Sequence, residues 1–192
     1  MDLELRDRVA IVGGASEGLG RACAEVLAEE GCHARFGRLD VLVSNSGGPP
    51  QARVRSATDE QWEPAVQRPH ILAGTVYQPI PNPDLSGVTR TGVVAFAKTL
   101  ADEVGRDGIL VNNVCPGSIR SERMLSNVGA RARQLGITPE EALAQRAQET
   151  AVGRLGEPRE LAYLVAFLAS GKSCYITGTT ILVDGDLVRS IL

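Results

Sequence analysis

Residues 8–20, RVAIVGGASEGLG, begin with an apolar, largely β-branched run from Val9 to Val12 and pass directly into Gly13, Gly14, Gly18 and Gly20. A short apolar run stopped by glycines reads as a buried strand entering a tight turn. The continuation is helical. Leu19, Ala22, Cys23, Val26 and Leu27 fall at i, i+3, i+4, i+7 and i+8, one apolar face, and Gly31 supplies the C-terminal stop. Strand, glycine turn and amphipathic helix form the first half of a βαβ unit.

The same alternation extends outward. Residues 39–44, LDVLVS, predict a second buried strand ending at Asn45, Ser46, Gly47 and Gly48. Thr58 and Gln61 predict a capping box for a helix carrying Trp62 and Val66. Ile71 and Leu72 suggest a strand end, the proline-rich stretch 78–84 a loop, and residues 86–104 a helix with Val93, Ala97, Leu100 and Val104 on its apolar face. Residues 109–115, ILVNNVC, predict a strand stopped by Pro116 and Gly117. Thr138, Pro139 and Glu141 place an N-cap, a first-turn proline and an N3 acid ahead of another helix. Leu161, Leu164, Val165 and Leu168 line a further helix, and residues 179–183 a last strand. Strands apolar on both faces that alternate with helices predict an α/β fold: a doubly wound parallel sheet with helices on both faces. The length, 192 residues, suits one domain.

Composition narrows the function. The chain is 43% hydrophobic with a formal net charge of −3 and no basic run, which argues against nucleic acid and anionic membranes as partners. No apolar stretch approaches a membrane span, and the charged start, MDLELRDR, leads straight into the first strand. A cytoplasmic location is the expectation. Cys23, Cys32, Cys115 and Cys174 are widely spaced, without a CxxC pair, so neither a disulfide framework nor a zinc ribbon is expected. His33 and His70 are isolated, and no metal site is predicted. Cys23 and Cys115 read as small buried groups, and Trp62 with Val66 as a core anchor.

Gly14-Ala-Ser-Glu-Gly18-Leu-Gly20 lies between strand and helix, where backbone N–H groups and the helix N-terminus can hold a diphosphate that approaches through the missing side chains. With this loop on the page, the chain resembles the short-chain dehydrogenase/reductase family, which includes the 3-oxoacyl-carrier-protein reductases. Gly14 to Gly20 resemble its TGxxxGxG loop, with Gly13 for Thr. Ser44-Asn45-Ser46-Gly47 resemble its NNAG motif. Asn112 and Pro116-Gly117-Ser118-Ile119 with Ser121 resemble its nicotinamide segment, and Tyr175-Ile-Thr-Gly178 with Val183-Asp-Gly185 its C-terminal strand.

The resemblance implies a Rossmann fold, a nicotinamide cofactor (NAD or NADP) and hydride transfer to or from a small-molecule carbonyl or secondary alcohol. It implies that Gly14, Ser16, Gly18 and Gly20 surround the diphosphate, with Leu19 beneath the dinucleotide. Asn45, Ser46 and Gly47 would line the adenine ribose, and Pro116, Gly117, Ser118, Ile119 and Ser121 the nicotinamide. Glu17 would repel a 2′-phosphate, which favours NAD. Residues 120–150 would form a substrate lid; the plainer expectation for 120–148 is a solvated helix pair. A homotetramer or homodimer is implied by the apolar C-terminal end.

Two departures stand out. Residues 31–40 join the first helix directly to what resembles the family's fourth strand, and residues near 67 and 68 shorten a long helix. The expectation is that segments are missing from the sequence as written at about Ala34/Arg35 and about Gln67/Arg68, because excision would force an unfavourable crossover. Chemically, Ser86 stands at the family's catalytic Tyr, Arg90 at its Lys and Ala73 at its Ser, and no YxxxK occurs. Arg90 keeps a positive donor for a ribose but cannot shuttle a proton. Ser86 cannot replace a phenol as acid. Tyr77 is a candidate displaced acid, with Thr75 or Ser86 as oxygen donors, and Lys98 is expected to be solvated. A catalytically weakened dinucleotide-binding sensor or subunit partner is the alternative function.

Overall fold

In the computed structural model, residues 2–34, 38–45, 74–78 and 85–191 are described. Among them four short strands, β1 (Ala10–Val12), β2 (Val41–Val43), β3 (Asn113–Pro116) and β4 (Thr180–Val183), alternate with helices. These are α1 (Gly18–Glu29), α2 (Leu85–Val104), α3 (Glu122–Leu135), α4 (Pro139–Gln148) and α5 (Pro158–Ala169), and a 3-10 turn covers Gly74–Val76. β1 pairs in parallel with β2, Ile11 opposite Leu42, and β3 in parallel with β4, Cys115 opposite Leu182. This is the parallel, helix-flanked α/β arrangement of a Rossmann-type fold.

Each element has a local cause. The apolar run at 9–12 forms β1, and α1 ends at Gly31, whose φ of 90° few side-chain-bearing residues adopt. The apolar face of α1, Ala22, Cys23, Val26 and Leu27, packs with Leu161, Ala162 and Ala166 of α5 in one buried cluster that also takes Leu5, Cys32 and Ile119. Outside that cluster Arg159 of α5 pairs with Glu29 of α1 and stands 5.6 Å over the Tyr163 ring. Thr138 caps α4 through the predicted reciprocal box: its hydroxyl accepts from Glu141 N at 3.2 Å, and its own N–H donates to the Glu141 carboxylate at 2.8 Å. A second small core, Val128, Ala132 and Ala142, joins α3 to α4.

The shortened connection is solved in an unexpected way. The expected omission at Ala34/Arg35 adjoins residues 35–37, which lie outside the described residues, but the positions on either side of it are placed. After α1, His33 makes a single parallel bridge with Val9 on one edge of β1, its N–H donating to Arg8 O at 2.8 Å and its carbonyl accepting from Ala10 N at 3.0 Å. Asp40 and Val41 then donate to Val9 O on the other edge, at 2.9 and 3.0 Å. The chain thus touches one side of β1 with one residue and forms β2 on the other. α1 keeps its place against α5 and makes no direct crossover to β2. Gln67/Arg68, Trp62, Val66, His70 and Ala73 lie outside the described residues.

One other expectation is corrected. The strand predicted at 109–115 begins later, at Asn113, because residues 111 and 112 are engaged by the turn that precedes β4. Gly178 N donates to Val111 O at 2.7 Å, and Asn112 holds Ile176 O and Thr179 through both ends of its amide. Asn112, which resembles part of the nicotinamide segment, is therefore a tie between β3 and β4. Lys98 is exposed, as expected, and its ammonium also donates to Gly178 O at 3.1 Å.

Candidate active site

The turn after β1 and the first turn of α1 form a cradle at the carboxyl end of the strand. Gly14 has a φ of 62°, a left-handed conformation, and a Cβ there would run into the carbonyl of Asn45. A Cβ on Gly20 would strike the Gly14 carbonyl and come within 2.5 Å of the Asn45 amide nitrogen. Only glycine fits either place. Glu17 is the N-cap residue of α1, but its side chain makes no capping bond and the first turn holds no acid, so the helix's leading N–H groups face the cradle uncapped by a side chain. Among the described residues the buried Oδ1 of Asn45 has no hydrogen-bond partner. Leu19 lies half-buried under this turn against the main core.

The segment after β3 meets the cradle from the other side. A Cβ built on Gly18 would lie 3.8 Å from the Ser121 side chain and 3.4 Å from the Glu122 carboxylate, so the N-termini of α1 and α3 converge. Ser121 caps α3, accepting from Met124 N at 3.3 Å. Gly117 is pressed on Asp184, leaving no room for a side chain. Ser118 is buried and its hydroxyl has no partner. Ile119 points away, into the core beside α1 and α5, and its backbone bridges Gly156. Of the sequence-predicted residues, the structure thus joins Gly14, Gly18, Gly20, Asn45 and Ser121, with Ser16 exposed on the same turn. Ser46 and Gly47 lie outside the described residues.

The catalytic candidates sit on the 3-10 turn and α2. The Tyr77 hydroxyl donates to the carbonyl of Thr180 on β4, and burial, followed by the neighbouring Cys115 thiol, raises its pKa above the ordinary phenol value. Cys115 is fully buried and burial pushes its thiol up to about 12; the Arg90 guanidinium opposes that rise and Asp184 adds to it. Arg90 therefore lies within electrostatic reach of the end of β3. Ser86 is in the first turn of α2; its side chain, and that of Thr75, are outside what is described.

Sequence reasoning missed the clasp behind this turn. Asp184 accepts from Asp186 N at 3.0 Å and Val188 N at 2.9 Å, and the Gln78 side chain accepts from Arg189 N at 2.9 Å. Val188 occupies the space where Gly74 would carry a Cβ. The Asp184 bonds are local, within the Val-Asp-Gly segment, but the contacts of Gln78 with Arg189 and of Gly74 with Val188 cross more than a hundred residues, and a local motif cannot announce them. A cleft of about 190 Å³ between Ser118, Val152, Arg154, Glu160 and Asp184 adjoins the same segment. Among the described residues no group of three or more His, Cys, Asp or Glu is gathered as for a metal, and no helix is long and apolar enough to cross a membrane.

The family model described as enoyl-(acyl carrier protein) reductase matches residues 70–187. The chain is 33% identical to 3-oxoacyl-[acyl-carrier-protein] reductase FabG of Haemophilus influenzae, over 81% of this chain and 69% of that protein. Its identity to acetoacetyl-CoA reductase of Shinella zoogloeoides is 30%, over 85% and 73%. It is 28% identical to FabG of Vibrio cholerae over 252 positions, 96% of this chain and 99% of that one. Since 96% of 192 residues fills about 184 of those 252 positions, about 68 have no residue in this chain. L-sorbose reductase of Gluconobacter frateurii, solved with NADPH and L-sorbose, shares the fold with a TM-score of 0.90 at 24% identity, over the full length of both chains.

Proposed function

Because this chain belongs to the short-chain dehydrogenase/reductase family and is an NAD(P)-dependent oxidoreductase, we propose that Gly14, Ser16, Gly18, Gly20, Asn45 and Ser121 hold the dinucleotide, and that its substrate is a small carbonyl compound or secondary alcohol. One observation carries the reading: two glycines that tolerate no side chain and an α1 N-terminus without a side-chain cap meet at one point, with the Asn45 side-chain amide oxygen beside them as an acceptor for a ribose hydroxyl. Such a place suits a diphosphate approached by backbone N–H groups. Glu17 and Leu19 border it, and Ser46 and Gly47 extend it by resemblance. When bound, the nicotinamide supplies a hydride donor or acceptor.

The chain's own residues then have the remaining work. Pro116, Gly117 and Ser118 form the nicotinamide wall, with the Ser118 hydroxyl available to the carboxamide and Ile119 behind them in the core. Arg90 supplies a fixed positive charge toward the ribose. Ser86 or Thr75 donates a hydrogen bond to the substrate oxygen. Tyr77 delivers the proton only after giving up its bond to the Thr180 carbonyl, so turnover is slow beside relatives with a free phenol. Residues 120–150, the α3–α4 pair with its own small core, serve as the substrate lid of the single domain 1–192.

A second reading, a dinucleotide sensor with residual turnover, is favoured by that same Tyr77 bond. Reduced-cofactor fluorescence followed by a carbonyl panel read at the nicotinamide absorbance separates the two. Turnover that Tyr77→Phe lowers by about 10²–10⁴ supports the displaced acid. Turnover that this change leaves intact removes Tyr77 from the mechanism, and binding without turnover supports the sensor. Absence of NADH and NADPH binding at millimolar ligand defeats the whole reading. Self-association as a dimer or tetramer in the cytoplasm belongs to the same proposal. The exposed Val88 and Phe96 of α2 and the apolar Ile191 support it, and light scattering on the full chain tests it.

A further inference from the structure

We propose that this site takes NADH and NADPH with similar affinity, and that the modest preference for NADH comes from the charges of Glu17 and Glu122 acting at a distance, not from any contact with the adenine ribose. The inference rests on the dinucleotide reading above and concerns how that site chooses its cofactor.

In doubly wound folds the residue that reads the ribose 2′ position follows the strand on the outer edge of β1, about twenty residues beyond the glycines. Counting that far from Gly20 leads to Asp40, and Asp40 is committed elsewhere. Its carboxylate accepts from Val9 N at 2.8 Å and from Arg38 at 2.7 and 3.0 Å, with Arg8 at 3.4 Å. It stands at the start of β2, on the other edge of β1 and at the end away from the cradle.

Chain length excludes the intervening residues. His33 and Asp40 are both pinned beside Val9, on opposite edges of β1. Seven Cα steps separate them, a reach of about 25 Å when fully extended. Rising along the outer edge to the level of Gly13 and returning takes about 26 Å, before the crossing of two strand spacings, about 10 Å more. A connection of this length is therefore too short to carry a side chain on a strand beside Val12 and Gly13, where it would face the ribose.

Among the described residues, two carboxylates stand near the mouth. Glu17 is exposed at the N-cap of α1, and the Glu122 carboxylate stands at the same helix end, beside Gly18. Both disfavour the extra phosphate of NADPH, but through solvent, where a Debye length of about 10 Å at 0.1 M salt shrinks to about 3 Å at 1 M. A contact selector, by contrast, is worth about 10- to 150-fold.

The test titrates the full-length wild-type chain, Glu17→Gln and Glu122→Gln with NADH and with NADPH by fluorescence at 0.1 M and 1 M NaCl. The expected Kd ratio favours NADH by less than about tenfold at 0.1 M, and falls to within about twofold at 1 M. The Glu17→Gln protein already shows the smaller ratio at low salt, and Glu122→Gln moves part of the way. A ratio above tenfold in either direction, a preference for NADPH, or a preference for NADH that neither salt nor the substitutions reduce overturns the inference while leaving the dinucleotide reading intact. Failure of both nucleotides to bind at millimolar concentration overturns both.

Discussion

Gly20 and Asn45 show how single atoms decide the site. Placing a Cβ on Gly20 pushes on the Gly14 carbonyl and on the Asn45 amide, so Gly20→Ala is expected to cost about 1–3 kcal/mol by overpacking and to weaken NADH binding at least tenfold. Thermal melts and fluorescence titration check the two effects separately. The thiols divide as sharply. Burial raises Cys115 to about 12 and Cys23 to about 11 and also raises Cys32, whereas Cys174 is exposed. One fast-reacting thiol is expected with an aromatic disulfide reagent at pH 8, and Cys174→Ser removes it. Glu160 is held down to about 2 by the Arg154 guanidinium and then by the Glu157 N–H. A carboxylate depressed on folding contributes stability above its unfolded value, near 4.5, that is lost as pH falls toward about 2. The drop in Tm over that interval is expected to be smaller in Glu160→Gln.

At the scale of elements, the α3–α4 pair is fastened to itself more than to the main core, through Val128, Ala132 and Ala142. Thr138→Ala removes the α4 cap at a local cost of about 1 kcal/mol. Hydrogen exchange is expected to quicken across 122–148 while α1 and α5 keep their protection. The elements also show what a sequence reveals. β1, α1, the Thr138 box and α5 were legible because each is written in consecutive residues: a period, a cap or a stopping glycine. The late start of β3 was not, because Asn112 is drawn off by Ile176 and Thr179, 64 and 67 residues away. The His33 bridge carries no periodicity at all, being one residue long. Within the site, the glycine cradle was legible for the same local reason. The engagement of Tyr77 by Thr180 was hidden by a separation of 103 residues, and that of Gln78 by Arg189 by one of 111.

For the whole molecule, the dinucleotide should act as a brace, since the cradle joins β1, α1, β2 and the start of α3, segments drawn from both halves of the chain. At a free concentration of about 100 times Kd, NADH is expected to stabilise the fold by about 2.7 kcal/mol, a rise in Tm on the order of 5–10 °C. The double pinning of Val9 carries the matter further. His33 and Asp40 stand side by side across a single strand, which makes the pair a natural splice point. A strand-and-helix unit grafted between them would enter and leave beside the same residue, Val9, so an added sheet edge is expected to be accepted without displacing β2.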